Sequence, residues 1–290
     1  MKTGILIIAA GAKWYGSLAG TLAASLRANG VTLPICLAHQ KETISRLDNQ
    51  YMDFFTDLVE IKPHQYTLAD NTECFIKCKA HMDELTPYDY TLFIDADVIM
   101  LNNGKINEVI ESLKNVDFAI KNSGFTPYDS DNITADSKQW ANLLEVKEAF
   151  GFTNEKIWNV HSEFIWWKKG HPLFAQWVKT FEDIRVENIV FGGCIPDELP
   201  LWIAMCQLGV EPHQSMWHPT YWPMDSSKIL RLKDMKEAGY CGVSIGGNNI
   251  HTTQRESYDI LVKLYAKILN LRYKFLAQPK KRWAANREHY

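Results

Sequence analysis

The chain has 290 residues, of which 46% are hydrophobic, and it can bury either one large α/β core or two small ones; we interpret it as one domain. Its 31 basic and 34 acidic side chains give a formal net charge of −3, which excludes the polycationic surface that draws proteins onto nucleic acid nonspecifically. We therefore expect small molecules or glycans as partners.

The N-terminal segment has two interpretations. Lys2, the apolar run up to residue 10 and the small residues around Gly11 imitate a short signal peptide. We favour a first strand, because the run is at the short limit for such a peptide and an amphipathic helix follows at once. No stretch approaches the roughly 20 apolar residues that span a bilayer. The six cysteines form no CxxC pair, so we expect reduced thiols in a cytoplasmic protein.

Apolar strands alternate with helices through the first 120 residues. Strands that are apolar on both faces and alternate with helices indicate a mostly parallel central sheet, covered by helices on both sides in a Rossmann-like arrangement. Such a sheet binds its ligand beyond the carboxyl ends of its strands. Strands are predicted at residues 4–10, 31–38, 57–61, 90–100 and 116–120, and helices at 17–27, 42–48, 73–85 and 106–113.

The second part of the chain is less regular. Residues 122–136 are predicted as a long polar loop, which in a compact domain often covers a site. From residue 261 the chain starts as an amphipathic helix and ends in a basic run at 280–282. We favour a solvated tail there over a membrane-surface or substrate-docking role. The sequence thus divides into one domain at residues 1–260 and a C-terminal helix with a basic tail at 261–290.

Two carboxylates, Asp95 and Asp97, lie at the end of a strongly apolar strand. Burying two uncompensated negative charges is costly, so we expect a positive group between them. Mn²⁺ or Mg²⁺ meets this demand, because such hard cations take oxygen ligands and leave positions open for phosphate. Strand alternation predicts that both carboxylates point to one side, whereas Ala96 points away and is too small to obstruct a ligand. The alternative is one helix-capping Asp beside one surface charge.

The pattern from residue 5 to about residue 251 resembles the glycogenin-like glycosyltransferases (family 8), which are retaining transferases with a GT-A fold. In that family a loop carrying a tyrosine follows the first strand, and here Ala9, Ala10 and Gly11 lead to Tyr15. The resemblance implies that this loop holds the uracil and ribose of a UDP-sugar, with Tyr15 stacked on the base. It also implies a nucleotide-binding half at about residues 1–120 and an acceptor half at about 121–260.

Two further positions match the family. Its basic residue before the DxD strand corresponds to Lys79, which would pair with a metal-site carboxylate or a donor phosphate, unless it is an exposed helix lysine. Its Asp-Gln pair corresponds to Asp197 and Glu198, which contact the donor sugar, cap a helix, or do both. The family's Asn-x-Gly strand corresponds to residues 161–167, where the Asn and the Gly are both missing.

The histidine that completes the family's metal site matches His251, so the implied ligands are Asp95, Asp97 and His251. The Gly, Lys, Pro and Trp that follow this histidine in the family are absent here. Arg255 is then the nearest candidate for binding the donor diphosphate. Ala96, between the two aspartates, is also predicted to contact the donor.

The resemblance implies metal-dependent transfer of a sugar from a nucleotide-sugar donor to a glycan or another hydroxyl acceptor, with retention. In an inverting enzyme, Asp197 or Glu198 would be the catalytic base. The aromatic loop at residues 216–223 is either a platform for acceptor sugars or part of the core. A haloacid-type phosphatase, which also ends an apolar strand with DxD, and a non-catalytic sugar- or nucleotide-binding relative are the alternatives.

Overall fold

The structure, a computed structural model, describes residues 1–45, 47–127, 141, 143–151, 156–187, 197–213, 219–221, 231–244 and 252–271. The strands are β1 (Thr3–Ala9), β2 (Ile35–His39), β3 (Asp57–Glu60), β4 (Tyr90–Ile94), β5 (Val98–Met100), β6 (Phe118–Pro127), β7 (Lys156–Lys168), β8 (Thr220–Tyr221) and β9 (Gly242–Ser244). They form a six-stranded central sheet, in the order β3-β2-β1-β4-β7-β6, and a three-stranded sheet, in the order β5-β9-β8.

The central sheet is mostly parallel. Strand β1 pairs in parallel with β2 and β4, and β2 pairs in parallel with β3. Only β7 runs the other way, antiparallel to β4 on one side and to β6 on the other. The expected mixed α/β architecture with a mostly parallel sheet is confirmed.

Strand β1 shows why the sheet has a core on each face. Ile5 and Ile7 belong to one buried cluster, and Leu6 and Ile8 belong to the other. Successive side chains of a strand point to opposite faces, so a continuous apolar run produces a strand that is buried on both sides.

Helices cover both faces of this sheet. Helices α1 and α10 bury apolar side chains in the cluster on one face, and α7 and α8 do so on the other. Among the described helices, none combines the length and the apolar composition that a bilayer span requires. The helices are α1 (Tyr15–Ala28), α2 (Lys41–Ile44), α3 (Asn49–Met52), α4 (Met82–Leu85), α5 (Lys105–Leu113), α6 (Leu143–Phe150), α7 (Pro172–Glu187), α8 (Glu198–Leu208), α9 (Leu232–Glu237) and α10 (Thr252–Ile268), and two 3-10 turns lie at Pro63–Gln65 and Phe75–Lys79.

The prediction of one continuous strand at residues 90–100 is wrong, because a turn divides this segment into two strands. Strand β4 ends at Ile94, and the Val98 amide donates to the Asp95 carbonyl at 3.0 Å, which closes a turn. Strand β5 then joins the second sheet, antiparallel to β9. The apolar pattern continues across the turn because both strands are buried. Asp95 and Asp97 therefore lie in a turn, and strand alternation does not set the direction of their side chains.

Other elements also differ in extent from the prediction. Residues 73–85 form the 3-10 turn Phe75–Lys79 and α4 rather than one helix. Residues 122–127, predicted as loop, extend β6 because their backbones pair with β7; the rest of that predicted loop, up to residue 136, lies outside the described residues. Helix α10 begins at Thr252 rather than at residue 261, and its Leu261 and Tyr265 are buried in the core.

The five described cysteines are free thiols, and four of them are buried. Burial raises the pKa of the four buried thiols to about 12, which keeps them protonated and unreactive. Cys194 lies outside the described residues.

Candidate functional site

A large bulge in β7 shapes the site. Opposite the consecutive β6 residues Ile120 and Lys121, the paired β7 residues are Ile165 and His161, so three additional residues of β7 lie between them. Bulges of this kind redirect side chains and are common beside active sites. Ser162 and Glu163 lie in the bulge, and the Glu163 carbonyl accepts the Asp95 amide at 3.0 Å. The bulge therefore lies directly against the turn that carries the two carboxylates.

Lys79 is the centre of the polar cluster. Its ammonium donates to Asp95 Oδ2 at 2.7 Å, to Asp197 Oδ2 at 2.6 Å and to Ser162 Oγ at 3.0 Å. Ser162 Oγ in turn donates to Asp197 Oδ2. These bonds use all three N–H donors of the lysine. Lys79 is therefore a member of the site rather than an exposed helix lysine, whereas Lys77 pairs elsewhere, with Glu182 at 2.8 Å.

The two carboxylates of the turn differ in their neighbours. Burial raises the pKa of Asp95 to about 6, against the opposing charge of Lys79. Burial and the negative charge of Asp95 raise the pKa of Asp97 to about 8. Asp97 forms no ion pair with a described residue, although a buried carboxylate normally requires a cationic partner.

Asp197 and Lys79 stabilise each other's charged forms. Burial alone would lower the pKa of Lys79, but Asp197 and Asp95 outweigh it and raise that pKa well above its ordinary value. Burial would raise the pKa of Asp197, but Lys79 and Ser162 outweigh it and lower that pKa. Asp197 precedes α8 without capping it through its side chain. The capping interpretation is therefore wrong for Asp197, whose carboxylate binds Lys79 and Ser162.

A second ion pair lies beneath the bulge. Lys121 is fully buried and donates to Glu163 Oε1, which also accepts the Thr220 hydroxyl at 2.6 Å. Burial would raise the pKa of Glu163, but Lys121 and Thr220 outweigh it and lower that pKa. This pair connects the bulge of β7 to β6 and to β8 in the second sheet.

Glu198 and His161 form a third pair. Glu198 Oε1 lies 3.6 Å from His161 Nδ1 and accepts the Ser162 amide at 3.3 Å. Burial would lower the pKa of His161, but the negative charge of the nearby Glu198 outweighs it and raises that pKa above its ordinary value. Both side chains keep contact with solvent, since His161 is 23% and Glu198 is 27% exposed.

Hydrogen bonds and ring stacking hold the loop after β1 in place. Gly11 has a positive φ of 77°, and its amide donates to Gln40 Oε1 at 2.7 Å. The side chain of Ala9 is buried, and its carbonyl accepts the Thr43 hydroxyl at 2.8 Å. Tyr15 begins α1 with its ring stacked on that of Trp14, 6.2 Å away between centroids.

The remaining predicted donor-contact residues lie in different surroundings. Ala10 is partly buried against the core, and Ala96 is fully buried in the turn between the two carboxylates. The assignment of these loop and turn residues as donor contacts stays a prediction. His251 lies outside the described residues, as does the side chain of Arg255 in the first turn of α10. Within the aromatic loop, Tyr221 is buried against Tyr240, which assigns this ring to the core.

Another cluster offers metal-ligating atoms. Those of His64, His81 and Glu84 lie within 4.8 Å of one another. His81 Nδ1 lies 2.9 Å from Glu84, and the buried Nε2 of His81 has no hydrogen-bond partner among the described residues. A metal on Nδ1 would force the ring proton onto Nε2, where it lacks the acceptor that metal-bound histidines usually have. The cluster is better explained as a hydrogen-bonded network.

Five site residues were not identified from the sequence: Lys121, His161, Ser162, Glu163 and Thr220. The available signal was a charged residue, Glu163, directly before the apolar run at residues 164–167. Lys121 likewise follows an apolar run. Neither signal shows which residue lies opposite, because the pairing depends on the strand register.

The chain was compared with family models, curated protein sequences and solved structures, and only the solved structures match. No family model and no curated protein sequence matches the chain. Among solved structures, the galactosyltransferase LgtC in complex with donor and acceptor sugar analogues matches with a TM-score of 0.53 and 10% identity, over 97% of this chain and 99% of that chain. An active-site mutant of LgtC matches with a TM-score of 0.54 and 9% identity, over 90% of this chain and 95% of that chain.

A third solved structure, the apo form of mouse xyloside xylosyltransferase 1, matches with a TM-score of 0.46 and 11% identity, over 87% of this chain and 99% of that chain. The two LgtC matches cover nearly the whole of both chains. The chain therefore shares the GT-A fold of LgtC, and the predicted resemblance is confirmed at the level of the fold.

Proposed function

We propose that the protein is a glycosyltransferase that uses a divalent cation to move a sugar from a nucleotide-sugar donor, a UDP-sugar, to a hydroxyl acceptor. The observation that carries the proposal is the pair of largely buried carboxylates, Asp95 and Asp97, in the turn after β4. Asp97 has no cationic partner among the described residues, and its pKa is raised to about 8. A bound divalent cation would remove this unfavourable charge arrangement.

The donor set fits such a cation. Oxygen ligands from Asp95 and Asp97 suit Mn²⁺ or Mg²⁺, and His251 is the proposed third ligand. When bound, the cation supplies Lewis-acid stabilisation of the diphosphate leaving group.

The neighbouring residues have separate tasks in this proposal. Lys79 holds Asp95 and Asp197 in place and compensates their charges through its bonds of 2.7 and 2.6 Å. Tyr15 and the loop at residues 9–11 bind the uracil and ribose, and Arg255 binds the diphosphate. Asp197 and Glu198 face the donor sugar.

The reaction breaks the bond between the anomeric carbon and the diphosphate oxygen, and UDP leaves with the electron pair. The acceptor hydroxyl oxygen forms the new bond and loses its proton to a base. Positive charge builds on the sugar ring in the transition state, which the surrounding carboxylates stabilise. We propose retention at the anomeric carbon and a glycan acceptor.

Calorimetric titration of UDP, with and without Mn²⁺, tests the proposal. We expect Mn²⁺ to tighten UDP binding by about tenfold or more, because a cation held by Asp95 and Asp97 would offset the repulsion between these carboxylates and the negatively charged diphosphate. Binding that is equal with and without the metal would contradict the metal assignment. A parallel assay of neutral UDP-sugars with Mn²⁺ should release UDP, whereas a phosphatase would release inorganic phosphate and a non-catalytic binding protein would release neither.

A further inference from the structure

We propose that Thr220 is a positioning residue for the proposed metal site: its hydroxyl ties Glu163 of the β7 bulge to the second sheet and so fixes the turn that carries the two aspartates. The inference rests on the proposed function and deepens it, because it assigns part of the affinity for the cation to a residue that touches neither the cation nor the donor. Thr220 acts through Glu163, and no bond of the substrate forms or breaks at either residue.

The turn at residues 95–97 is held at its two ends by different sheets. On the side of the central sheet, the Asp95 amide donates to the Glu163 carbonyl at 3.0 Å. On the other side, Val98 begins β5 and pairs with Ser244 of β9 in the second sheet. The separation and the direction of the two carboxylates therefore depend on how the two sheets are placed against each other.

The side chain of Glu163 spans the space between these sheets. Its Oε1 accepts the Thr220 hydroxyl of β8 at 2.6 Å and the Lys121 ammonium of β6. Thr220 pairs with Gly242 of β9, and β9 pairs with β5. A closed path of contacts thus runs from Asp95 through Glu163, Thr220 and β9 to the other end of the turn.

The bulge leaves residues 162–164 of β7 without paired residues on β6, since the pairing stops at His161 and resumes at Ile165. A backbone segment outside a regular ladder needs other contacts to hold it in one position. Glu163 is 8% exposed, and both Lys121 and Thr220 are fully buried. The bonds of the Glu163 side chain therefore lie in a region of low dielectric, where hydrogen bonds are stronger than in water.

The two partners of Glu163 have different tasks. Lys121 belongs to the same sheet as Glu163 and compensates its buried charge. Thr220 is uncharged and belongs to the second sheet, so its hydrogen bond acts between the two sheets. Removing the Thr220 hydroxyl breaks this link and leaves the ion pair in place, which separates positioning from charge compensation.

A metal site is sensitive to such a link. The negative charge of Glu163 raises the pKa values of both Asp95 and Asp97, so this carboxylate lies close to both of them. Metal ligands must be held within about 0.5 Å of their productive positions, and the outer contacts that hold them contribute about 10- to 100-fold to metal affinity. A turn that is fixed before the cation binds avoids the cost of ordering it during binding.

Amide hydrogen exchange tests the link in the metal-free protein. In EDTA, the Asp95 amide of Thr220→Val should exchange about tenfold or more faster than in the wild type, relative to the amides of β1, because its acceptor carbonyl is held less firmly. Thr180→Val is the matched control, since Thr180 is also fully buried and its hydroxyl donates to the Gln176 carbonyl at 2.7 Å within α7. The control should leave this exchange rate within about twofold. An unchanged rate in Thr220→Val would overturn the link.

Calorimetric titration of UDP tests the consequence for the metal site. At subsaturating Mn²⁺, Thr220→Val should weaken UDP binding by about tenfold, whereas UDP binding without metal should change by less than about twofold. Thr220→Ser, which keeps the hydroxyl, and Thr180→Val should both bind UDP within about threefold of the wild type. If Thr220→Val does not fold, Thr220→Ala and Thr220→Ser provide a second pair that differs by the hydroxyl alone.

The outcomes distinguish this inference from the proposed function. A wild-type protein whose UDP binding ignores Mn²⁺ overturns the proposed function, and the exchange rate of the Asp95 amide then still decides whether Thr220 holds the turn. Mn²⁺-dependent binding that is equal in the wild type and in Thr220→Val overturns the inference alone. Equal losses of affinity in Thr220→Val and Thr220→Ser would also overturn it, because packing rather than the hydroxyl would then be the cause.

Discussion

At the scale of single residues, Asp95 and Asp97 show how neighbours decide the state of two similar carboxylates. Asp95 has Lys79 at 2.7 Å, whereas Asp97 is largely buried beside Asp95 and forms no ion pair with a described residue. Burial and this repulsion raise the pKa of Asp97 from 3.8 to about 8. The folded protein without metal therefore holds an unfavourable charge that a bound cation would relieve.

This predicts that Asp97→Asn stabilises the metal-free protein while removing Mn²⁺-dependent UDP binding. A carboxyl whose pKa is raised by folding contributes stability below pH 3.8 and loses it as the pH rises toward 8. In EDTA, the variant should melt about 2 to 5 °C above the wild type at pH 8.5, with a smaller difference at pH 5.5.

Differential scanning fluorimetry measures this difference, and Asp53→Asn, which changes an exposed carboxylate, is the matched control. A melting difference that does not vary with pH would show that the charge of Asp97 is not its cause.

At the scale of elements, the bulge of β7 brings the site together. It places Ser162 against Lys79 and Asp197, while Glu163 pairs with Lys121 of the neighbouring β6. Lys121 is fully buried, so its ion pair lies in a region of low dielectric. Removing one partner of such a pair leaves an uncompensated charge, whereas removing both does not.

Lys121→Met should therefore lower the free energy of unfolding by about 3 to 5 kcal/mol, measured by urea denaturation. The double variant Lys121→Met with Glu163→Leu should recover more than half of this loss, because neither charge remains. Lys168→Met, which removes a half-exposed lysine from the end of the same sheet, should change stability by about 0.5 kcal/mol or less. Equal losses in the single and double variants would contradict the pairing.

At the scale of the whole molecule, the site joins segments that are distant in the chain. Lys79 and Asp197 are 118 residues apart, and Glu163 and Thr220 are 57 residues apart. The central sheet, the second sheet and helix α8 all contribute a residue. A ligand that binds only when these elements are assembled should stabilise the folded state as a unit.

We expect Mn²⁺ and UDP together to raise the melting temperature of the whole protein. At a UDP concentration 100 times its Kd, the stabilisation is about 2.7 kcal/mol, or about 4 to 5 °C for a protein of this size. EDTA should reverse the shift, and Asp97→Asn should show none. The same shift with UDP alone would mean that the nucleotide binds independently of the metal.

The sequence alone predicts much of the framework. The apolar run of β1 and the helical spacing after it are local patterns, because burial on two faces and helical amphipathicity both appear along a short stretch of chain. The DxD pair was identified because two carboxylates that are costly to bury are visible without the fold, whereas Lys79 was assigned through its match to the family pattern. The extent of β6 was mispredicted, since pairing with β7 rather than local polarity decides it.

The amino-acid sequence determined the alternation of strands and helices, the buried carboxylates and the need for a positive group beside them. Only the tertiary structure decided that Asp95 and Asp97 lie in a turn between two sheets, that Asp197 binds Lys79, and that His161 faces Glu198. These outcomes depend on a three-residue register shift in β7 and on contacts between distant segments. A one-residue change of register moves every side chain to the other face, so local sequence patterns do not encode such pairings.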